Sequence, residues 1–271
     1  MILYSRGKYG VYAGDINKLG EDLQILKPNL FISVPRLFNK FYAVIQDQIR
    51  DIPKSEKELV EKAVHEKLVN FKKYGEYLHP TYDKLVFNKL RQILGGNVKC
   101  MWTGSAPIDP KVLEFLQIVF CCPMLEAYGT TEATAAICSV KIRDTQSGTV
   151  GAIQDHLEFK VVDVPEMNYT SKDRDSLGRL APRGELVFRG NSIFSGYYKN
   201  PEKTKEALDS NGWCYSGDIG EIVAGSNAIK IIDRKKNIFK LSQGEYVAPD
   251  RLQNIYKNAY GIADIYVHGD S

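Results

Sequence analysis

The stretch from Val98 to Glu132 constrains the fold more than any other part of the chain, because it sets a helix-length segment between two short apolar runs. Val98-Lys-Cys-Met-Trp102 reads as a sheet strand that delivers the small-residue loop Gly104-Ser-Ala-Pro107 to its end. Asp109 caps and Pro110 opens a helix that runs to about Val119, since an Asp side chain satisfies free N–H groups of the first turn and proline lacks only an N–H that has no partner there. The apolar run Cys121-Cys-Pro-Met-Leu125 is a second strand, and Tyr128-Gly-Thr-Thr-Glu132 follows as a loop. This rhythm belongs to a mostly parallel α/β sheet, in which ligand sites collect on loops at strand ends.

The flanking segments extend the pattern. Leu19, Leu23 and Leu26 have helical spacing before Lys27-Pro28, Leu30 to Val34 reads as a buried strand, and Leu37, Phe38, Phe41, Ile45 and Ile49 form the apolar stripe of a helix ending before Pro53. Lys54 to Tyr74 is a surface helix with a charged face, and Tyr82 to Leu94 is a further helix stopped by Gly95-Gly96. After Thr149 the texture changes to short β runs at 157–162, 185–189, 219–223 and 229–232, interrupted by a helix from Pro201 to Leu208, which together suggest a small barrel-like module. Leu241 to Val247 resembles a hairpin, Pro249 starts a helix carrying Leu252, Ile255 and Tyr256, and Ile262 to Val267 reads as one more strand.

Composition removes several function classes. Thirty-six basic against thirty-three acidic residues give +3, spread without a patch, which argues against a nucleic-acid partner. No apolar run approaches the ~20 residues of a membrane-spanning helix, and Met1-Ile-Leu-Tyr is followed at once by Arg6 and Lys8 rather than by a signal-peptide core. Peripheral membrane attachment stays open. The five cysteines, at 100, 121, 122, 138 and 214, lack the paired spacing of a zinc site and point to reduced thiols in a cytosol-like compartment.

Tyr128 to Glu132 combines a flat ring, a flexible turn, two hydroxyls and a carboxylate. Gly129 permits a close backbone approach, Thr130 and Thr131 can donate to phosphate oxygens, and Glu132 can hold a hard divalent cation. The duller alternative is a solvated strand-to-helix turn, with Glu132 as a helix N-terminal acid. Asp218 likewise reads as a ligand acceptor or a turn capper, and Arg234 as its partner or a surface charge.

In chain order, Gly104 to Pro107, Tyr128 to Glu132, Gly212-Trp-Cys-Tyr-Ser-Gly-Asp218 and Asp233-Arg-Lys-Lys236 resemble the adenylate-forming, or acyl-activating, enzyme superfamily. Ser33-Val-Pro-Arg-Leu-Phe-Asn-Lys40, Asp163-Val-Pro-Glu-Met-Asn-Tyr169 and Gly190-Asn-Ser-Ile-Phe-Ser-Gly-Tyr197 are similar to long-chain fatty acyl-CoA synthetases within it. The resemblance runs from about Gly7 to Ser271. It implies the second half of a large AMP-binding domain, with an α/β part over 1–148 and a β-rich part over 149–233, then a hinge at 234–236 and the start of a small α+β domain over 237–271. The implied activity joins a long-chain fatty acid to CoA through an acyl-adenylate, using ATP and Mg²⁺, in the cytoplasm or peripherally on the endoplasmic reticulum or another intracellular membrane.

Residue by residue, the resemblance has Glu132 help bind Mg²⁺ and Thr131 contact the α-phosphate, with Gly129 and Thr130 completing that loop. Tyr128 with Gly104, Ser105, Ala106 and Pro107 shapes the adenine pocket, Asp218 and Arg234 hold the ribose, Lys236 is the hinge, and Gly244 and Glu245 face the CoA channel. The family's phosphate loop with its lysine is expected before residue 1, and its terminal catalytic lysine after residue 271. On that reading the chain is a portion of a longer enzyme and inactive by itself. Two alternatives stay open: a ligase for another carboxylic acid, and a non-catalytic remnant that keeps AMP binding.

Overall fold

A computed structural model describes residues 6–257, 259, 262 and 265–269 of the chain. These belong to two units, one formed by residues up to Thr103 with Pro110–Leu125 and Ile142–Ser147, the other by Gly104–Asp109, Glu126–Lys141 and the residues from Gly148 onward.

In the first unit, the leucine spacing before Lys27 forms α1 (Leu19–Leu26), ended by Lys27 in a left-handed conformation. β1 (Leu30–Ser33) follows, then α2 (Pro35–Asp51), α3 (Lys54–Tyr74), an irregular helical stretch over 83–94 whose middle is α4 (Asn88–Arg91), β2 (Cys100–Thr103) and α5 (Pro110–Phe120). β1 and β2 run parallel with Leu30 beside Cys100, and the Met101 N–H on β2 donates to Pro123 O at 2.9 Å, just before β3 (Met124–Tyr128). The stripe on α2 buries Phe38, Phe41, Ile45 and Ile49 as its spacing predicts. Phe38 and Phe41 meet Phe31 of β1 edge to face, with ring centroids 5.7 and 6.1 Å apart.

The second unit is built on antiparallel pairs. The end of β3 pairs with β4 (Cys138–Ser139), and β4 with β5 (Ala152–Ile153). β6 (Leu157–Val162), β7 (Arg183–Gly190), β8 (Cys214–Ile222) and β9 (Ile229–Arg234) form a four-stranded sheet in that order. Leu186 and Phe188 of β7 are buried with Ile137, Cys138, Leu157 and Ile229. A register shift between Ile219 and Gly220 leaves Asp218 of β8 directly opposite Arg234 of β9. α6 (Pro201–Ala207) is capped by the Asn200 side chain, which accepts from the Lys203 N–H. The hairpin of β10 (Phe239–Lys240) and β11 (Tyr246–Val247) turns through Gly244 at φ +97°, and α7 (Pro249–Tyr256) starts on its proline.

Four sequence expectations change. The barrel-like module is an open sheet: among the described residues β6 and β9 are its two edges, and four short strands are too few to curl round and meet. The strand expected over Cys121 to Leu125 begins instead at Met124 and runs on to Tyr128, because Cys121 turns the chain at φ +54°. β1 is only half buried, with Ile32 61% exposed. Of the last expected strand, Ala263 and Asp264 lie outside the described residues, and Ile262 and Ile265 to Val267 have no strand conformation. Among the described residues no helix is long and apolar enough to cross a membrane.

The surface helix α3 also hides a charge that its Lys-rich pattern does not single out. Lys67 is fully buried. Its ammonium pairs with the Asp83 carboxylate, donates to Ile118 O at 2.9 Å and to Cys121 Sγ at 3.2 Å, and lies 4.5 Å from the Phe87 ring centroid. Removing one member of such a buried pair strands the other charge. Lys67→Met is therefore expected to lower stability by about 3 to 5 kcal/mol, and Lys67→Met with Asp83→Leu to recover most of the loss. Urea denaturation of these two variants and of Asp83→Leu alone checks this, and additive losses would contradict it.

Candidate functional site

Tyr128 ends β3, and the Ile137 N–H donates back to its carbonyl at 2.8 Å, closing residues 129–136 into a loop. Gly129 is required there by space: a Cβ would run into the Ala135 carbonyl oxygen. Thr131–Ala133 makes a single tight helical turn, ended by Thr134 at φ +56° and Ala135 at φ +101°, both in the region that favours glycine. The Glu132 carboxylate accepts from the Tyr197 hydroxyl, and the Phe194 N–H donates to Glu132 O at 2.7 Å. The Tyr197 bond holds the Glu132 carboxyl below the usual carboxylate range, with smaller help from the Thr130 hydroxyl and the Arg234 charge. Thr131 is exposed on the rim.

The Tyr128 ring packs on Phe188 with centroids 6.2 Å apart, and its hydroxyl donates to Asp218 Oδ2 at 2.6 Å. Burial and the Asp218 charge push the phenol up. Burial also raises the Asp218 carboxyl, against the Tyr128 hydrogen bond and the Arg234 charge. Arg234 Nε stands 3.8 Å from Asp218 Oδ1 on a side chain 60% exposed, so the pair is loose and water-screened. The Asp218 N–H donates to Ser216 Oγ at 3.0 Å, and Ser216 donates to Leu186 O at 2.6 Å, which fixes Asp218 on β8.

The small-residue loop belongs to the same unit. A Cβ on Gly104 would lie 2.8 Å from Ala127 O, so this loop lies against the end of β3. Ser105 takes φ +70°, and Ser105, Ala106 and Pro107 are exposed. The structure thus brings Tyr128, Glu132, Asp218 and Arg234 together, with Gly129 and Thr130 in the connecting loop. Lys236 is exposed in the turn after β9, and Gly244 and Glu245 sit in the β10–β11 turn. None of these three bonds directly to the cluster among the described residues. The neighbouring Lys235 is held instead, by Glu185 Oε2 at 3.2 Å and Glu166 Oε1 at 3.6 Å.

Sequence reasoning passed over Tyr197, although it closes the Gly190–Tyr197 motif, and Glu126, an acid inside an apolar strand. Among the described residues no three His, Cys, Asp or Glu side chains cluster as a metal site. A lone carboxylate beside two hydroxyls nevertheless fits Mg²⁺, which usually takes one or two carboxylates with waters and substrate phosphates.

Glu126 is 7% exposed, and burial pushes its carboxyl up to about 8 against a backbone hydrogen bond at Ile108. An unfolded Glu titrates near ~4.3, so between the two values the folded chain binds more protons than the unfolded one. Stability therefore falls as pH rises through that window, by at most about 1.4 kcal/mol per pH unit. Glu126→Gln is expected to flatten this slope. Urea denaturation between about pH 5 and pH 8 reads it, and an unchanged slope would contradict the assignment.

Comparison with known proteins gives the cluster its context. A family model described as AMP-binding enzyme matches residues 1–198. The chain is 44% identical over 274 residues to Long chain acyl-CoA synthetase 7, peroxisomal, of Arabidopsis thaliana, covering 100% of this chain and 38% of the relative. It is 43% identical over 266 residues to Long-chain-fatty-acid--CoA ligase 6 of Homo sapiens, covering 98% and 36%. The chain thus spans well under half the length of the curated relatives it matches. Among solved structures it resembles the adenylation domain of a carboxylate reductase from Mycobacterium chelonae, with a TM-score of 0.74 and 29% identity over 96% of this chain and 35% of that one. It also resembles the A domain of a carboxylic acid reductase from Segniliparus rugosus in complex with AMP and a co-purified carboxylic acid, with a TM-score of 0.70 and 28% identity over 96% and 36%. The matched residues include the whole Tyr128 loop and the Gly190–Tyr197 motif that meets it, and the chain belongs to the AMP-binding enzyme family.

Proposed function

We propose that the protein to which this chain belongs activates a long-chain fatty acid with ATP and passes the acyl group to CoA. One observation carries the reading: Tyr128 and Asp218 are bonded at 2.6 Å, with Arg234 beside them and Glu132 on the same loop as Tyr128. An acceptor, a cation and a second carboxylate close enough to feel one another's charge suit a nucleotide and its metal. The names of the acyl-CoA synthetase relatives, and of a 28% identical domain holding AMP and a carboxylic acid, support the same choice. Ligases for other acids remain the rival, and a panel of acid substrates separates the two.

In the first half-reaction a carboxylate oxygen bonds to the α-phosphorus and the bond to pyrophosphate breaks. In the second, the CoA thiolate bonds to the acyl carbon and AMP leaves. Asp218, acceptor-only when ionised, takes ribose hydroxyls, with Oδ2 already oriented by Tyr128 and Oδ1 beside Arg234. Thr131 donates to the α-phosphate oxygens and Thr130 steadies Glu132, while Tyr128 and the Gly104–Pro107 loop border the base. Glu132 would hold Mg²⁺, which when bound offsets phosphate charge. Lys236 is assigned as the hinge on which a small domain starting near residue 237 turns, bringing Gly244 and Glu245 to the CoA path. The large-domain part then ends near residue 233. Peripheral attachment to an intracellular membrane fits an insoluble substrate.

Two expectations test this in the full-length protein. Glu132→Gln impairs palmitate-dependent pyrophosphate exchange far more than CoA transfer from preformed acyl-adenylate, and equal losses would refute the metal role. Asp218→Ala weakens ATP binding about ten- to hundredfold, and adding Arg234→Ala costs less than it does alone, because both serve one ribose. Strict additivity in isothermal titration would remove the shared-ribose picture.

A further inference from the structure

The Gly190–Tyr197 motif was singled out by its sequence, yet the proposed chemistry gives it no task. Three bonds tie it to the Thr131–Ala135 turn. The Phe194 N–H donates to Glu132 O at 2.7 Å, Thr134 Oγ1 donates to Ser192 O at 2.7 Å, and the Tyr197 hydroxyl donates to Glu132 Oε1. The first two steady the backbone of the turn. The third acts on the carboxylate itself.

Tyr197 is held on several sides. Its N–H donates to Thr204 Oγ1 at 2.9 Å, and that hydroxyl donates to Asn200 O at 2.9 Å, at the start of α6. Gly196, at φ +142°, lets the chain pass close to Thr204, where a Cβ would meet Thr204 Cγ2 at 2.7 Å. The ring packs edge-on against Phe194, with centroids 4.9 Å apart at 75°. A phenol fixed in this way presents its O–H in one direction. A free glutamate on an exposed turn would sample several rotamers, and ordering it at each turnover costs conformational entropy.

We propose that Tyr197 is a positioning residue for Glu132: its hydroxyl occupies Oε1 and thereby leaves Oε2 oriented for the divalent cation that accompanies ATP. The inference rests on the assignment of Glu132 as the metal carboxylate. Hydrogen-bonded partners of this kind fix a ligand's direction, and their removal commonly costs metal affinity by about 10- to 100-fold.

The test compares Tyr197→Phe with Glu132→Gln in the full-length protein. Tyr197→Phe keeps the ring packing and removes only the hydroxyl, and a thermal melt confirms the fold. Isothermal titration measures ATP affinity with Mg²⁺ and with EDTA, and pyrophosphate exchange is followed against Mg²⁺ concentration. The expected result for Tyr197→Phe is an Mg²⁺ requirement raised about tenfold, weaker binding of MgATP, unchanged binding of metal-free ATP and an unchanged KM for palmitate. Equal weakening with and without Mg²⁺ would mean that Tyr197 merely supports the loop, and overturns the inference. A lowered Mg²⁺ requirement would mean that the hydroxyl competes with the cation, and overturns it too. If Glu132→Gln shifts the Mg²⁺ dependence and Tyr197→Phe does not, this inference alone fails; if Glu132→Gln leaves it unchanged, the metal assignment fails first.

Discussion

The hydrogen bond from the Tyr128 hydroxyl to the Asp218 carboxylate, 2.6 Å long and spanning 90 positions of sequence, is the contact on which the rest of the site depends. A carboxylate that is 9% exposed needs donors, or its desolvation is left uncompensated. Tyr128 supplies one from the end of β3 and the Asp218 N–H is tied separately to Ser216, so strand and sheet are bound at one point. The loop carrying Glu132 starts at the very next residue. Its position relative to β8 follows from that bond.

Close backbone approach is the second constraint. Gly129 leaves room for the Ala135 carbonyl, and the turn accommodates Thr134 and Ala135 in left-handed conformations. Such residues are strained by about 1 to 3 kcal/mol each. The bonds from Phe194 to Glu132 and from Thr134 to Ser192 offset part of this and hold the loop in one shape. A loop ordered before any ligand arrives has less ordering to do when one binds. The motif over Gly190–Tyr197 therefore connects local strain with the readiness of a rim carboxylate.

Much of the fold was legible because it rests on short-range rules. Leu37 to Ile49 announced α2, Pro110 and Pro201 opened α5 and α6 where expected, and Gly244 turned the terminal hairpin. Legible too, through the family resemblance, was that Tyr128, Glu132, Asp218 and Arg234 belong together, and the structure brings them together. Illegible were the features that depend on what packs across the chain. The lysines of α3 look alike in sequence, and only Asp83 and Phe87 against its inner side decide that Lys67 is the buried one. The short β runs after Thr149 could not disclose that their sheet stays open.

What the sequence by itself determined is the order of strands and helices and the kinds of side chain delivered to each strand end, because backbone periodicity, caps and turns are set by residues within a few positions of one another. Tertiary structure decided which of those groups meet. It set Asp218 opposite Arg234 through a register shift between β8 and β9, buried Glu126 where desolvation raises its carboxyl, and brought Tyr197 across 65 positions to one oxygen of Glu132. Contacts over such separations require the intervening chain to bring their partners together, and the desolvation that acts on Glu126 is a property of the assembled core rather than of any segment.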